Sequence, residues 1–368
     1  MAFRDLLIGG VLLLGLASCV RMPGKNLDHS PPSEGSGSFT PGTPSSDELA
    51  PENWYRVYFT DPAGPTAETF RGGPDADLAA AIDQARLSVE VATDDFDLWS
   101  LRDALIAAHR RGVAVRVVAE SDNLSAPELQ ALVPAGVPVL GDRREGLMHD
   151  KFVIIDRWEV WAGSMNFTLS GAYKSNNNLI RLRSPQLAEN YLAEFAEMFI
   201  DDRFGPGSPA NTPHPSLSIE GTTIETYFSP DDGTAQELVR LILGAQQSIH
   251  FMAYSFTSDD IATAMLARAQ AGVEVAGVFE ETQYRQNEGT EFDRLLGNGL
   301  DVRLDGNPRS MHHKVIILDD RIVITGSYNF SNSAEIRNDE NTLVIHNADI
   351  ATLYSAEFEE VFQLAHRK

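Results

Sequence analysis

Cysteine is almost missing from this chain: one residue, Cys19, stands among 368. A lone thiol excludes an intramolecular disulfide framework, and no His/Cys/Asp cluster has metal-ligand spacing, so no metal is expected. Basic residues are scarce too. Lys and Arg number 29 against 53 Asp and Glu, a formal net charge of −24. That field repels polyanions at long range and excludes a protein that simply coats nucleic acid, although an enzyme with a local basic cleft remains open. No apolar run is comfortable as a membrane span; the one from Leu6 to Leu16 is too short. What is present is ordinary for a globular protein of one or two domains: 43% hydrophobic and 22% charged residues, with length for a sizeable core.

The short apolar run has the size of a signal-peptide core, and Leu16-Ala17-Ser18-Cys19 resembles a bacterial lipoprotein cleavage site, in which the cysteine is lipidated. Residues 1–19 are therefore expected as a signal peptide and the mature chain as membrane-tethered through Cys19 in the cell envelope. Val20 after the cysteine fits the outer membrane where two membranes exist. Residues 20–51 are rich in Pro, Gly and Ser and lack apolar periodicity, the composition of a flexible stalk. A similar stretch at 204–221 reads as a linker between two parts, 52–203 and 222–368.

Those parts repeat one another. "VYFTDP" at Val57 matches "TYFSPD" at Thr226, and "LRDALIAAHRRGVAVRVVAE" matches "IATAMLARAQAGVEVAGVFE". Each of the latter is an amphipathic helix pattern, a glycine (Gly112, Gly272) where the helix should stop, and a β-branched strand ending in Glu120 or Glu280. Alternating strands and helices imply an α/β sheet with a parallel core in each part. Downstream, "MHDKFVIIDR" matches "MHHKVIILDD", and a constant offset carries His149 onto His312 and Asn178 onto Asn341 without a gap. Duplication with a pseudo-two-fold axis is the economical explanation.

Strand alternation projects His149 with Lys151, and His312 with Lys314, to one face. The apolar runs then cross the core to Asp156 and Asp319. Returning strands reach "GSMNF" and "GSYNF", which places Ser164 and Asn166 beside His149, and Ser327 and Asn329 beside His312. Two sets of imidazole, ammonium, hydroxyl and amide suit phosphodiester cleavage: lysine and neutral donors hold non-bridging oxygens, one imidazole attacks phosphorus, and the other protonates the leaving oxygen.

His-x-Lys-x4-Asp followed by Gly-Ser-x-Asn, present twice between about Tyr55 and Phe362, resembles the phospholipase D superfamily. The resemblance implies two tandem, pseudo-two-fold related α/β domains, each a mixed β-sheet flanked by helices, acting as one monomer. It implies a cofactor-free, metal-independent reaction through a covalent phosphohistidine. Its catalytic groups are His149, Lys151, Asp156, His312, Lys314 and Asp319, supported by Ser164, Asn166, Ser327 and Asn329. The halves differ downstream, where Asn177-Asn178 faces Glu340-Asn341. In this superfamily such a carboxylate or amide orients an imidazole, so Glu340 is expected to keep His312 protonated as general acid, leaving His149, beside Asn177, as nucleophile. His313 reads as the filler of H-x-K, facing away from the site. His109, His250 and His346 read as surface or packing residues.

Three function classes compete. A tethered envelope protein lies beside phospholipid, which favours head-group hydrolysis; phosphatidyl transfer is a variant. Metal-independent nuclease action on DNA or RNA is the alternative, with Arg143, Arg144, Lys174, Arg309 and Arg337 as a candidate basic groove. A non-catalytic binding protein is disfavoured because every motif residue is intact in both halves. Trp158 and Trp161 fit either a lipid-facing rim or packing.

Overall fold

A computed structural model describes residues 54–368. The signal peptide, Cys19 and the stalk expected at 20–51 lie outside the described residues.

The first half is a seven-stranded mixed sheet. Its strands are β1 (Tyr55–Phe59), β2 (Ser88–Thr93), β3 (Ala114–Ala119), β4 (Val139–Gly141), β5 (Lys151–Ile155), β6 (Glu159–Gly163) and, after the short β7 (Ser175–Asn176), β8 (Asn178–Arg183). The order is β1-β8-β6-β5-β2-β3-β4. Only β2, β3 and β4 run parallel; the others pair antiparallel. The parallel core is thus confined to the strands joined by helical crossovers, while hairpins build the rest.

The second half repeats the plan with an added edge. It contains β9 (Ser216–Ile219), β10 (Thr222–Ser229), β11 (Ser248–Ala253), β12 (Glu274–Phe279), β13 (Asp301–Leu304), the short β14 (Ser310–Met311), β15 (Lys314–Leu318), β16 (Ile322–Gly326) and β17 (Glu340–His346), in the order β13-β12-β11-β15-β16-β17-β10-β9. β9 falls within the stretch read as a linker. It pairs with β10, so the end of that stretch belongs to the second sheet.

The helices stop where glycine permits. Trp99–Arg110 and Asp259–Gln270 end just before Gly112 and Gly272, which sit at φ +92° and +91°. The apolar runs before the two aspartates are continuous because both sheet faces are covered. Phe152 and Ile154, with Val315 and Ile317, point into a core shared by the two sheets and by helices Pro185–Phe199 and Ala348–Leu364. Val153 and Ile155 turn instead to an outer core of the first half, and Ile316 and Leu318 to one of the second. Burying each such side chain contributes about 1.5–3 kcal/mol, and the shared core joins the two halves as well as covering each sheet.

Asp156 and Asp319 are not in the cleft. Each opens a hairpin loop in the left-handed region, at φ +53° and +55°, a conformation aspartate adopts more readily than most residues. Their carboxylates accept the backbone N–H groups of Arg86, Leu87 and Ser88, and of Gln246, Gln247 and Ser248. A five-residue strand at ~3.3 Å per residue puts them roughly 17 Å from the lysines. Their catalytic assignment is therefore corrected: they clamp the start of β2 or β11 to the end of β5 or β15 and so set strand register.

Candidate active site

The cleft forms where the motif of each half meets the other half. His149 N–H donates to Asp339 O at 2.9 Å, and His312 N–H donates to Asn176 O at 2.9 Å. β14 lies parallel to β7, and Met148 bridges Asp339 in parallel. Each motif histidine therefore rests against the segment that carries the other half's downstream motif.

This crossing overturns the expected partners. His149 Nδ1 meets Glu340 Oε2 at 2.7 Å, and His312 Nδ1 meets Asn177 Oδ1 at 2.9 Å. The pairings run between halves, because the strand-to-segment bridges place each imidazole over the far half's β7/β8 or β17 junction. The serines follow their own half's partner rather than its histidine. Ser327 Oγ donates to Glu340 Oε2 at 2.7 Å, and Ser164 Oγ donates to Asn177 Oδ1 at 2.9 Å. Ser164 thus serves His312, whose Nδ1 also reaches Ser164 O at 3.1 Å, and not His149.

Glycine makes that geometry possible. A Cβ on Gly163 would stand 2.4 Å from Asn178 O, and one on Gly326 would stand 2.1 Å from Asn341 O. Only glycine lets the returning strand approach so closely at φ +157° and +151°. Asn178 and Asn341 then tie the halves. Asn178 contacts His313 Nδ1 at 3.1 Å, and Asn341 Nδ2 donates to Asp150 Oδ1 at 2.8 Å. His313, read as a filler, is fully buried and also pairs with Glu357 at 3.0 Å, so it pins the interface.

The lysines differ in their surroundings. Lys151 Nζ donates to His149 O at 2.7 Å and lies 3.4 Å from Asp94 Oδ2. Lys314 Nζ contacts His312 Nε2 and donates to His312 O, both at 3.0 Å, and sits 4.5 Å from the centre of the Tyr254 ring. Asp94 Oδ2 is also 3.9 Å from His149 Nε2. Sequence reasoning passed over Asp94 and Tyr254. The signal was present, since they directly follow matched strands, and Thr93 and Ala253 are the register partners of Lys151 and Lys314. The carboxyl end of a parallel strand is a general place for ligand-binding groups.

Hydrogen bonding distinguishes the two rings. His312 Nδ1 faces two acceptors, a side-chain and a main-chain carbonyl, so it carries hydrogen. Nε2 then holds a lone pair that accepts from Lys314. Burial, with Lys314 and Lys151 adding to it, pushes this imidazole well below its usual range. Burial also leads the causes that hold the Lys314 ammonium well below its own. Around His149, burial and Lys151 push the ring down while Asp94 opposes them, and burial pushes the Glu340 carboxyl up to about 8. With its carboxyl held up, Glu340 can present a proton to His149 Nδ1, and an imidazole that accepts there carries its own hydrogen on Nε2.

Asn166 and Asn329 each have a buried Oδ1 with no hydrogen-bond partner among the described residues. The expected basic groove is largely engaged. Arg143 pairs with Asp202, Arg144 with Asp339, and Arg337 with Glu145, while Lys174 donates to Ala67 O and lies over Phe70. Trp161 is a core residue stacked on Tyr58, and Trp158 belongs to the β5–β6 loop beside Asp156; neither forms a rim to the cleft. Among the described residues, no group of three or more His, Cys, Asp or Glu is arranged to hold a metal ion.

Known proteins similar to this chain indicate its family. A family model described as "Cardiolipin synthase, PLD-like domain" matches twice, at residues 78–199 and 238–362. The chain is 35% identical to a phospholipase D of Rickettsia bellii (strain RML369-C) over 148 residues, which cover 40% of this chain and 73% of that protein. It is 32% identical to the mitochondrial cardiolipin hydrolase of Homo sapiens over 132 residues, 36% of this chain and 52% of that one. The phosphatidylserine synthase structure from Haemophilus influenzae Rd KW20 shares the fold, with a TM-score of 0.61 at 16% identity over 84% of this chain and 87% of that one. With the paired motifs and the two matching sheets, these likenesses lead to one conclusion: the chain belongs to the phospholipase D superfamily and is a phosphodiesterase of that group.

Proposed function

We propose that this protein hydrolyses the phosphodiester of a phospholipid, with His312 as nucleophile and His149 as general acid. The observation that carries the assignment is the different partner at each Nδ1, the Glu340 carboxyl on His149 and the Asn177 amide oxygen on His312, which favours a proton on Nε2 of the first ring and a bare Nε2 on the second. It reverses the roles expected when Glu340 was placed on His312.

In the first step the Nε2 lone pair of His312 forms a bond to phosphorus as the bond to the leaving oxygen breaks. That oxygen takes the proton from His149 Nε2, and Glu340 keeps the ring oriented throughout. In the second step His149 Nε2 accepts a proton from water. The resulting hydroxide displaces His312 from phosphorus, which releases phosphatidate and restores both rings. Lys314 moves from His312 Nε2 to a non-bridging oxygen as substrate arrives, baring the lone pair at that moment. Lys151 and the amides of Asn166 and Asn329 complete the oxyanion contacts, since an Asn side chain can turn its donors toward phosphate. Both rings come from one chain, so a monomer suffices.

Phospholipid is favoured over nucleic acid by the engagement of four of the five expected groove cations with partners in the protein and by the net charge of −24. Contact with lipid comes, in this reading, through the Cys19 anchor expected from the sequence; among the described residues no helix is long and apolar enough to cross a membrane. Full-length protein should label with palmitate in a bacterial host and fractionate with the envelope, whereas C19S should do neither.

The test of function is an assay in EDTA on phosphatidylethanolamine vesicles and on single-stranded DNA, with acid-labile phosphoenzyme mapped by peptide. Lipid turnover with phosphate on His312 is expected. Cleavage of DNA alone overturns the substrate, and phosphate on His149 overturns the roles.

A further inference from the structure

The half-sites part company at the residue following each strand that flanks a catalytic lysine. In the second half this is Tyr254, whose ring lies against Lys314 and edge-on to His312 with centroids 4.5 Å apart. That wall is neutral, because burial and nearby carboxylates raise the Tyr254 hydroxyl above its ordinary range. In the first half it is Asp94. Its side chain is mostly buried, with 16% exposed, and its carboxylate lies beside Lys151 Nζ and His149 Nε2. Burial works against ionisation there, but Lys151, His149 and Lys314 outweigh it and hold Asp94 as an anion.

We propose that Asp94 determines specificity on the leaving-group side, selecting an alcohol that carries an ammonium close to its ester oxygen, as ethanolamine and choline do. The inference rests on the phospholipid reading above and adds the class of head group to it. Position carries it. His149 Nε2 gives its proton to the leaving oxygen, which must come within about 3 Å of that nitrogen. Asp94 Oδ2, at 3.9 Å from the same nitrogen and 3.4 Å from Lys151 Nζ, therefore borders the space that oxygen must occupy. An ammonium two carbons from the ester oxygen reaches it with a charge-assisted hydrogen bond or, if quaternary, a direct ion contact.

Charge around the site agrees. Lys151 and Lys314 supply two amine donors for a phosphate bearing one negative charge, and Asp94 is the carboxylate paired with Lys151. A leaving group with its own phosphate would bring a second negative charge against that carboxylate. Placing Asp94 merely as the counter-ion of Lys151 leaves head-group choice unaffected, and this distinguishes the two roles.

The experiment compares kcat/KM on phosphatidylethanolamine and phosphatidylglycerol of identical acyl chains, in mixed micelles with EDTA, for full-length wild type, D94N and D94E. Wild type is expected to favour ethanolamine by tenfold or more. D94N should lower that ratio about tenfold, and D94E should restore part of it. If wild type turns over lipid and the ratio is unmoved in D94N, or both substrates fall equally, the role of Asp94 is overturned while the phospholipid reading stands. If wild type cleaves neither lipid and cleaves single-stranded DNA, the phospholipid reading falls, and the head-group inference falls with it.

Discussion

His149 and His312 occupy equivalent places in two copies of one motif, and their surroundings are opposite. His149 lies between two carboxylates, Glu340 at Nδ1 and Asp94 near Nε2. His312 faces an amide and a carbonyl at Nδ1 and an ammonium at Nε2. In the proposed mechanism one environment keeps a proton on the reacting nitrogen, and the other keeps it off. A symmetric duplication would supply two identical rings; a two-step displacement needs a donor and a nucleophile. Changes at two pairs of equivalent positions, Glu340/Asn177 and Asp94/Tyr254, are enough to divide that labour.

The largest expected effect breaks the comparison outright. H312A should abolish turnover by about 10⁴-fold on every diester, since no bond to phosphorus can form. H149A should cost a similar factor on phospholipid, in the upper range for loss of a general acid, yet form phosphoenzyme at nearly the wild-type rate on a p-nitrophenyl diester, whose leaving group needs no proton, before stalling for want of a base to activate water. A pre-steady-state burst of p-nitrophenolate followed by slow turnover checks this, and loss of the burst in H149A would count against its role as acid.

Smaller by about two orders of magnitude is the effect of removing the carboxylate. E340Q should lower kcat about 10²-fold. In wild type the pair holds its proton below about pH 8 and loses it as pH rises, so activity should decline above that value. In E340Q the imidazolium loses its partner, and the alkaline limb should move to lower pH. An unmoved limb in kcat against pH would detach Glu340 from proton delivery.

The converse change tests the other ring. N177D puts a carboxylate at His312 Nδ1, favours its protonated form and hides the lone pair. Activity should be kept at high pH and be lost earlier as pH falls, with a loss of roughly tenfold near neutrality. The acid limb of the pH profile reads this out.

The smallest effect on chemistry is expected where the halves agree. D156A and D319A remove acceptors of backbone N–H groups far from the cleft, some of which water can replace. Each should cost about 1–2 kcal/mol of stability and lower Tm by a few degrees, with kcat within a few-fold of wild type. Thermal melts beside rate measurements separate these from the cleft variants.

Much of the architecture was legible in order along the chain. Gly112 and Gly272 end their helices because a left-handed residue must, and the continuous apolar runs before Asp156 and Asp319 read as strands buried on both faces. The His-x-Lys pairs followed from strand alternation. The stretch read as linker was less transparent, since Ser216–Ile219 alternates buried and exposed residues as an edge strand within a Pro- and Ser-rich context. Asp156 and Asp319 were misplaced because a motif counts spacing along the chain, whereas a five-residue strand carries its ends far apart.

By itself, then, the sequence determined which groups are present, that they come in two sets, and that each set shares a strand face; those properties depend on local periodicity and composition. Which Glu or Asn meets which His was decided only in the tertiary structure. Those contacts join residues from different halves, where a shared core and two short bridges choose the partners. A constant offset along the chain is equally compatible with pairing inside a half or across the axis. Only packing the two sheets against one another, with Met148 on Asp339 and β14 on β7, breaks that tie.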